Sequence, residues 1–460
     1  MKHMTLAEIT RACRGVYHGD SALAAVEVSS VTIDSRKVVK GSLFIAIKGA
    51  RVDGHDLIPQ TMESGALCAL SERDLGDAPF PYILVESCRQ ALKDLAEHYR
   101  RSLDIRMVGI SGSVGKTSTK EMIASVLSQR YRVLKTEGNF NNEVGLPLTV
   151  FRIREEHEVA VLEMGISDFG EMTRLARIAR PDICVITNIG CAHLEQLKDR
   201  DGILKAKTEM FAFMNPNGQI LLNGDDDKLR TYTPENGLQP VYFGLGEHCS
   251  FRAEQVVDQG LRGTDAEFVT PDSRFSAHIS IPGSHMVHNA MAGTAVGRLL
   301  GLTDSEIRAG IEALVPLAGR NHLIETDTFV IIDDCYNANP ASMKASLDVL
   351  AKADTRIAAI LGDMGELGDN WKALHREVGR YAAELGIQIL ICIGEMAEEI
   401  AAGAREAGAP EVCHYADKQG FFAELDRLLK PGDSILVKAS HMMEFPEIVE
   451  RLQAKGGASR

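Results

Sequence analysis

Apolar residues fall into short runs of strand length that alternate with helix-period stretches, and the runs divide the chain into three regions. Over 317–460 the runs "FVIIDD", "RIAAILGD", "IQILICIG", "EVCHYAD" and "SILVKAS" alternate with helical stretches near 341–353, 371–386, 396–408, 419–430 and 445–454. This alternation reads as a doubly wound, Rossmann-like domain, with ligands at the carboxyl ends of its strands. Over 104–316 the runs "IRMVGISG", "EVAVLEMG", "DICVITNIG" and "GQILLNGDD" each end in a glycine-rich or polar loop. They predict a mainly parallel sheet covered by helices. Residues 1–103 are mixed: a helix near 5–13, a hairpin-like run "VEVSSVTIDSRKVVKGSLFIAIKG", then a helix–strand pair through "GALCALSE" and "PYILVES". The expected fold class is α/β in three domains, 1–103, 104–316 and 317–460, and the tail "AKGGASR" is expected to fray.

Composition narrows the function. The chain of 460 residues is 45% hydrophobic and 25% charged, as a soluble enzyme with several cores would be. A net charge of −14 argues against a nucleic-acid binder or a polybasic membrane-surface protein, so anionic ligands must be held by a few local positive groups. Nine scattered cysteines without a C-x-x-C pair fit a reducing compartment rather than a disulfide framework or zinc site. The start "MKHMTLAEITRACRG" turns polar too soon for a signal peptide, and no apolar run is long enough to span a bilayer. A cytoplasmic location without membrane insertion is expected.

The chemistry concentrates at "SGSVGKTS", which comprises Ser111, Gly112, Ser113, Val114, Gly115, Lys116, Thr117 and Ser118. Glycines between a strand and a helix start leave backbone N–H groups and the helix dipole facing an anion. Lys116 can add a point charge on outer phosphates, and Thr117 a hydroxyl for magnesium. A glycine-rich structural turn is the alternative. The next strand ends on Glu163, a place where a carboxylate holds the metal of a phosphoryl-transfer site; a solvated or capping glutamate is the plainer reading.

The short loop, with "TG-x-x-GKT" as its pattern, resembles that of the Mur ligases, ATP-dependent amide ligases of cell-wall precursor synthesis. Ser111 stands at the first Thr. Further motifs follow in that family's order: "TEGNFNNEVGLPLT", "EMG", "PDICVITNIGCAHLE", "AKTEMF", "LAGR", "DDCYNANPASMKASL" and "LGDMGELG". The last two look most like the branch that joins D-alanyl-D-alanine to UDP-N-acetylmuramoyl-tripeptide. Two places depart from the pattern. "HMVHNA" has Met286 where the family has an Asn near the adenine, keeping Asn289, and "KASH" replaces "KGSR", so Ala439 and His441 stand for Gly and Arg.

The resemblance implies ATP as co-substrate, two magnesium ions, and an acyl-phosphate intermediate that an amine displaces, releasing ADP and phosphate. Thr117 and Glu163 would hold one metal, and His193 would help hold the second. Lys207 would be carbamylated near the metals, which needs a neutral amine; an ordinary exposed lysine is the alternative. Arg320 would reach the ATP phosphates, and Asp334, or its neighbour Asp333, would accept ribose hydroxyls. Ser35 and Arg36 would contact the uridine nucleotide, with Asp53, Gly54 and His55 in a nearby loop. Asn141 and Asn142 would bind the peptide or sugar, and Asn337 and Asn339 the D-alanyl-D-alanine; asparagines also favour plain turns. The expected partners are those two substrates, and a monomer suffices. The rivals are another amino-acid ligase of the family, whose "DNPR"-like signature is absent, and a phosphate-loop nucleotide switch.

Overall fold

The computed structural model describes residues 1–190 and 194–457, and the side chains of 194 and 195 are outside that description. Three sheets account for the architecture. The first holds β1 (Val16–His18), β2 (Ser30–Thr32), β3 (Ser42–Ile45), β4 (Cys68–Ser71) and β5 (Tyr82–Leu84) in the order β1-β5-β4-β3-β2. The hairpin-like reading of 26–49 is corrected here, because β2 and β3 pair in parallel. Asp34 accepts the Arg36 N–H and starts a short 3-10 turn, after which the chain travels back before β3 begins. The expected helix near 5–13 is Leu6–Ala12, closed by a Thr5–Glu8 capping box.

The second sheet has nine strands in the order β14-β13-β12-β11-β10-β9-β6-β8-β7. They are β6 (Arg106–Ser111), β7 (Val133–Lys135), β8 (Val159–Glu163), β9 (Ile183–Ile186), β10 (Gln219–Asn223), β11 (Pro240–Gly244), β12 (Phe251–Asp258), β13 (Thr264–Val269) and β14 (Arg274–Ile279). From β7 to β12 the pairing is parallel; β12, β13 and β14 form an antiparallel extension. The helices Lys116–Leu127 and His285–Leu299 pack on one face. The other face shares one continuous core with the first unit, running from Met4 to Leu229.

The third sheet holds β15 (His322–Glu325), β16 (Val330–Asp333), β17 (Ile357–Gly362), β18 (Ile389–Ile393), β19 (Val412–Tyr415) and β20 (Ser434–Lys438), in the order β15-β16-β20-β17-β18-β19. All pairs are parallel except β15 with β16. Apolar cores cover both faces, as the continuous apolar runs require. Its helices lie within a few residues of their expected places, for example Trp371–Glu384 and Lys418–Leu428. Among the described residues no helix is long and apolar enough to cross a membrane. The last three residues of the tail expected to fray, and His193, lie outside the described residues.

Candidate active site

Strand β6 lies between β8 and β9, so three carboxyl ends converge on one edge of the second sheet. There Gly115, in the left-handed region at φ 82°, turns the chain into the helix Lys116–Leu127 with no side-chain cap. The N–H groups of Gly115, Lys116, Thr117 and Ser118 meet no protein acceptor among the described residues. Uncapped N–H groups at the positive end of a helix dipole form an anion site. Lys116 lies over the loop, its Nζ donating to the Gly112 carbonyl at 2.8 Å.

Glu163, only 3% exposed, ends β8 facing this helix. Its Oε2 accepts from Thr117 Oγ1 at 2.9 Å and its Oε1 from Asn141 Nδ2 at 2.9 Å. A buried carboxylate beside a hydroxyl is a hard-oxygen donor set, which suits Mg²⁺ completed by water and phosphate. Burial pushes the Lys116 ammonium below its ordinary value, Glu163 opposes that shift, and Arg320 adds to it. Lys207 is 2% exposed. Burial, with Lys116 nearby, holds its amine well below the usual lysine range.

The third unit supplies the opposite wall. Arg320 is flanked by two left-handed residues, Gly319 at φ 76° and Asn321 at φ 47°. Asp333 Oδ2 accepts the Gly319 N–H at 2.7 Å and Asp334 Oδ1 accepts the Asn321 N–H at 3.1 Å. The Arg320 guanidinium rests 4.0 Å from the Tyr336 ring centroid, and the His441 ring packs against that same tyrosine. Buried Lys438 pairs with Asp334 and donates to the Asn337 carbonyl. Asn321 Nδ2 lies 3.3 Å from His285 Nε2, which ties the two units together. Burial lowers the His285 pKa against the pull of Asp334.

A cavity of about 590 Å³ lies between these walls. Ser113 to Ser118, Asn141, Glu163, Asn289, Arg320, Asp334, Asn337 and Asn339 all line it. Several sequence-predicted residues are not brought there. Ser111 turns its hydroxyl inward to the Met164 carbonyl, Gly112 packs against Thr187, and Lys207 is buried near Lys116 without lining the cavity. Asn142 caps the start of Gly145–Val150 by accepting the Val144 and Gly145 N–H groups, so of the two asparagines only Asn141 reaches the cavity.

No residue of the first unit lines the cavity. Arg36 is exposed and forks onto Asp34, holding that carboxyl down at about 2, with Ser35 beside it in the same turn. Asp53 caps the turn containing Gly54 and binds His55 Nδ1 at 2.7 Å, while His55 Nε2 accepts the Glu72 N–H. Of the departures, Met286 Sδ takes the Asn289 amide N–H, and Asn289 Oδ1 accepts from Thr119. Ala439 is packed beside Gly362, so it fills space rather than lining the cavity.

Sequence reasoning missed Asn188, His285 and Lys438. Asn188 lies just past a buried strand, Lys438 ends one and His285 starts a helix, but these local cues do not show which distant residues they meet.

Comparison with known proteins matches the whole length. Family descriptions match in three parts: "Mur ligase family, catalytic domain" over 27–100, "Mur ligase middle domain" over 110–297, and "Mur ligase, glutamate ligase domain" over 319–441. The UDP-N-acetylmuramoyl-tripeptide–D-alanyl-D-alanine ligase of Bacillus subtilis (strain 168) is 38% identical, covering 92% of this chain and 93% of its own. The Escherichia coli (strain K12) protein of that name is 34% identical, covering 99% and 100%. Among solved structures, MurF from Acinetobacter baumannii superposes with a TM-score of 0.90 at 30% identity over 98% of this chain and 99% of that one. The MurF ligase of Thermotoga maritima, in complex with ADP, gives 0.82 at 30% identity over 93% and 97%.

Proposed function

The chain belongs to the Mur ligase family, and from that premise we propose that it joins D-alanyl-D-alanine to UDP-N-acetylmuramoyl-tripeptide at the expense of ATP. The observation that carries this reading is the shared cavity. It opposes the uncapped helix start and the Thr117–Glu163 pair of the central unit to Arg320, Asn337 and Asn339 of the third.

Amide formation from a carboxylate is uphill, so the tripeptide's terminal carboxylate first attacks the γ-phosphorus, forming an acyl phosphate and releasing ADP. The amine of D-alanyl-D-alanine then attacks the acyl carbon, phosphate leaves, and the amine gives up a proton. Two anions must meet in the first step, and Lys116, Arg320 and the helix N–H groups offset their repulsion. Thr117 and Glu163 would hold Mg²⁺, which when bound supplies further charge neutralisation. Lys207 is suited to carry a carbamate, because its buried amine resists protonation. The two walls exclude water and so protect the acyl phosphate from hydrolysis. Asp334 lines the cavity and Asp333 does not, which supports Asp334 as the ribose contact.

Ser35, Arg36 and the turn at Asp53, Gly54 and His55 belong to the first unit, where the family resemblance assigns the uridine nucleotide. Three domains bounded at 103 and 316, action as a monomer, and a cytoplasmic location belong to the same proposal. The free cysteines among the described residues accord with a reducing compartment.

The deciding experiment follows ADP and product with each substrate omitted in turn, using tripeptides ending in lysine or in diaminopimelate. A ligase sustains ADP release over many turnovers only when a tripeptide and the dipeptide are both present, and couples each ADP to a new amide. ADP release without product identifies a nucleotide switch. Acceptance of a single amino acid onto a UDP-dipeptide in place of D-alanyl-D-alanine identifies the third-residue ligase.

A further inference from the structure

A full phosphate loop has four residues between its glycines, whereas this one has two, Ser113 and Val114, between Gly112 and Gly115. A shorter loop has fewer groups with which to fix its own shape. The structure shows what fixes it. Asn188, two residues past the end of β9, places its side-chain amide against both intervening residues. Its Oδ1 accepts the Val114 N–H at 3.0 Å and the Ser113 N–H at 3.2 Å, and its Nδ2 donates to the Val114 carbonyl at 3.0 Å.

The neighbouring residues complete the attachment. The Asn188 carbonyl also accepts the Ser113 N–H, and Thr187 Oγ1 donates to the Val114 carbonyl at 2.7 Å. Ser113 Oγ accepts the Gly190 N–H. Gly112, at φ 152°, lies so close to Thr187 that an added Cβ would sit 1.9 Å from its hydroxyl. Thr187 is itself fixed, its N–H on the Ser111 carbonyl and its own carbonyl on Asn223 Nδ2.

This arrangement divides the backbone donors of the loop into two sets. The N–H groups of Ser113 and Val114 are satisfied by the protein, while those from Gly115 to Ser118 remain open toward the cavity. We propose that Asn188 is a positioning residue for this loop: its amide replaces the missing loop residues and holds the helix N–H groups at the place where nucleotide phosphates bind. The inference rests on reading the loop as the ATP site. Asn188 acts through the loop and needs no contact with the phosphates.

The test is Asn188→Ala and Asn188→Asp, with Mg–ADP affinity measured by calorimetry and KM determined for each of the three substrates. Asn188→Ala removes all three side-chain bonds. Its ADP Kd and ATP KM should rise about tenfold or more, while KM for UDP-tripeptide and for dipeptide stays within about twofold. Asn188→Asp preserves shape and can still accept both N–H groups, but it sets an anionic oxygen against the Val114 carbonyl and adds negative charge beside the phosphates. It should bind nucleotide more weakly than Asn188→Ala.

Unchanged ADP affinity in both variants overturns the proposal. So does a parallel rise in all three KM values accompanied by a lower melting temperature, which would mark Asn188 as ordinary packing. If Asn188→Ala fails to fold, Asn188→Ser, which is uncharged and too short to bridge both loop residues, decides by whether nucleotide affinity falls selectively. ADP binding is read without ligation, so a wild-type chain that binds ADP yet forms no amide would count against the proposed function and leave this inference standing.

Discussion

Lys207 is a lysine with almost no access to water. Burial and the nearby Lys116 both disfavour an ammonium there, so the neutral amine is favoured, as addition of carbon dioxide requires. Replacing it with alanine should lower turnover by about a hundredfold, the scale of losing a group that supports a metal site. Short carboxylic acids should restore part of the rate by supplying the missing anion. Full activity in Lys207→Ala without any added acid removes the carbamate role. The burial of Lys207 could not be read from sequence, where Lys205, two positions earlier, looks the same. Lys116, Thr117 and Glu163 were legible because strand, loop and helix are contiguous or end on a recognisable run. Asn188 and Lys438 were not, because their partners lie 74 and 104 positions away.

At the scale of elements, legibility followed strand length and burial. The third sheet's strands, buried on both faces, stand out as apolar runs, whereas the three- and four-residue strands of the first sheet give no usable period, and the run holding the parallel pair β2–β3 reads as a hairpin. Strands β12 to β14 alternate buried and partly exposed residues, as in "TDAEFV", and this two-residue period was the signal available for them. Their turn does something the pattern alone could not show. At its tip Asp258 pairs with Lys352 of the third unit, and Leu261 packs against the core of the third sheet. This tip holds the third unit against the central one beside the cavity. Leu261→Asp places a charge in that apolar contact. The expected result is a larger radius of gyration by small-angle scattering and an ATP KM raised by about three- to tenfold, with the UDP-tripeptide KM unchanged. A variant as compact as the parent would show that the tip contributes nothing to holding the units together.

For the whole molecule, the distribution of cores sets how the units depend on one another. The first unit and one face of the second sheet share a single core, with Leu95, Tyr99, Leu146 and Phe151 in the same cluster. The third sheet has cores of its own, and Leu261 from the central unit packs against one of them. Without ligand, scanning calorimetry should therefore show two transitions, one for the third unit and one for the first and central units together. A nucleotide in the shared cavity touches both cooperative blocks, because the phosphate loop lies in one and Arg320 in the other. At a hundred times its Kd, Mg–ADP adds about 2.7 kcal/mol to the native state. Because losing either wall abolishes the complete site, that stabilisation should raise both transitions and draw them together. A shift confined to the lower-numbered block would mean that the nucleotide is held by the phosphate loop alone, and that Arg320 does not share in its binding.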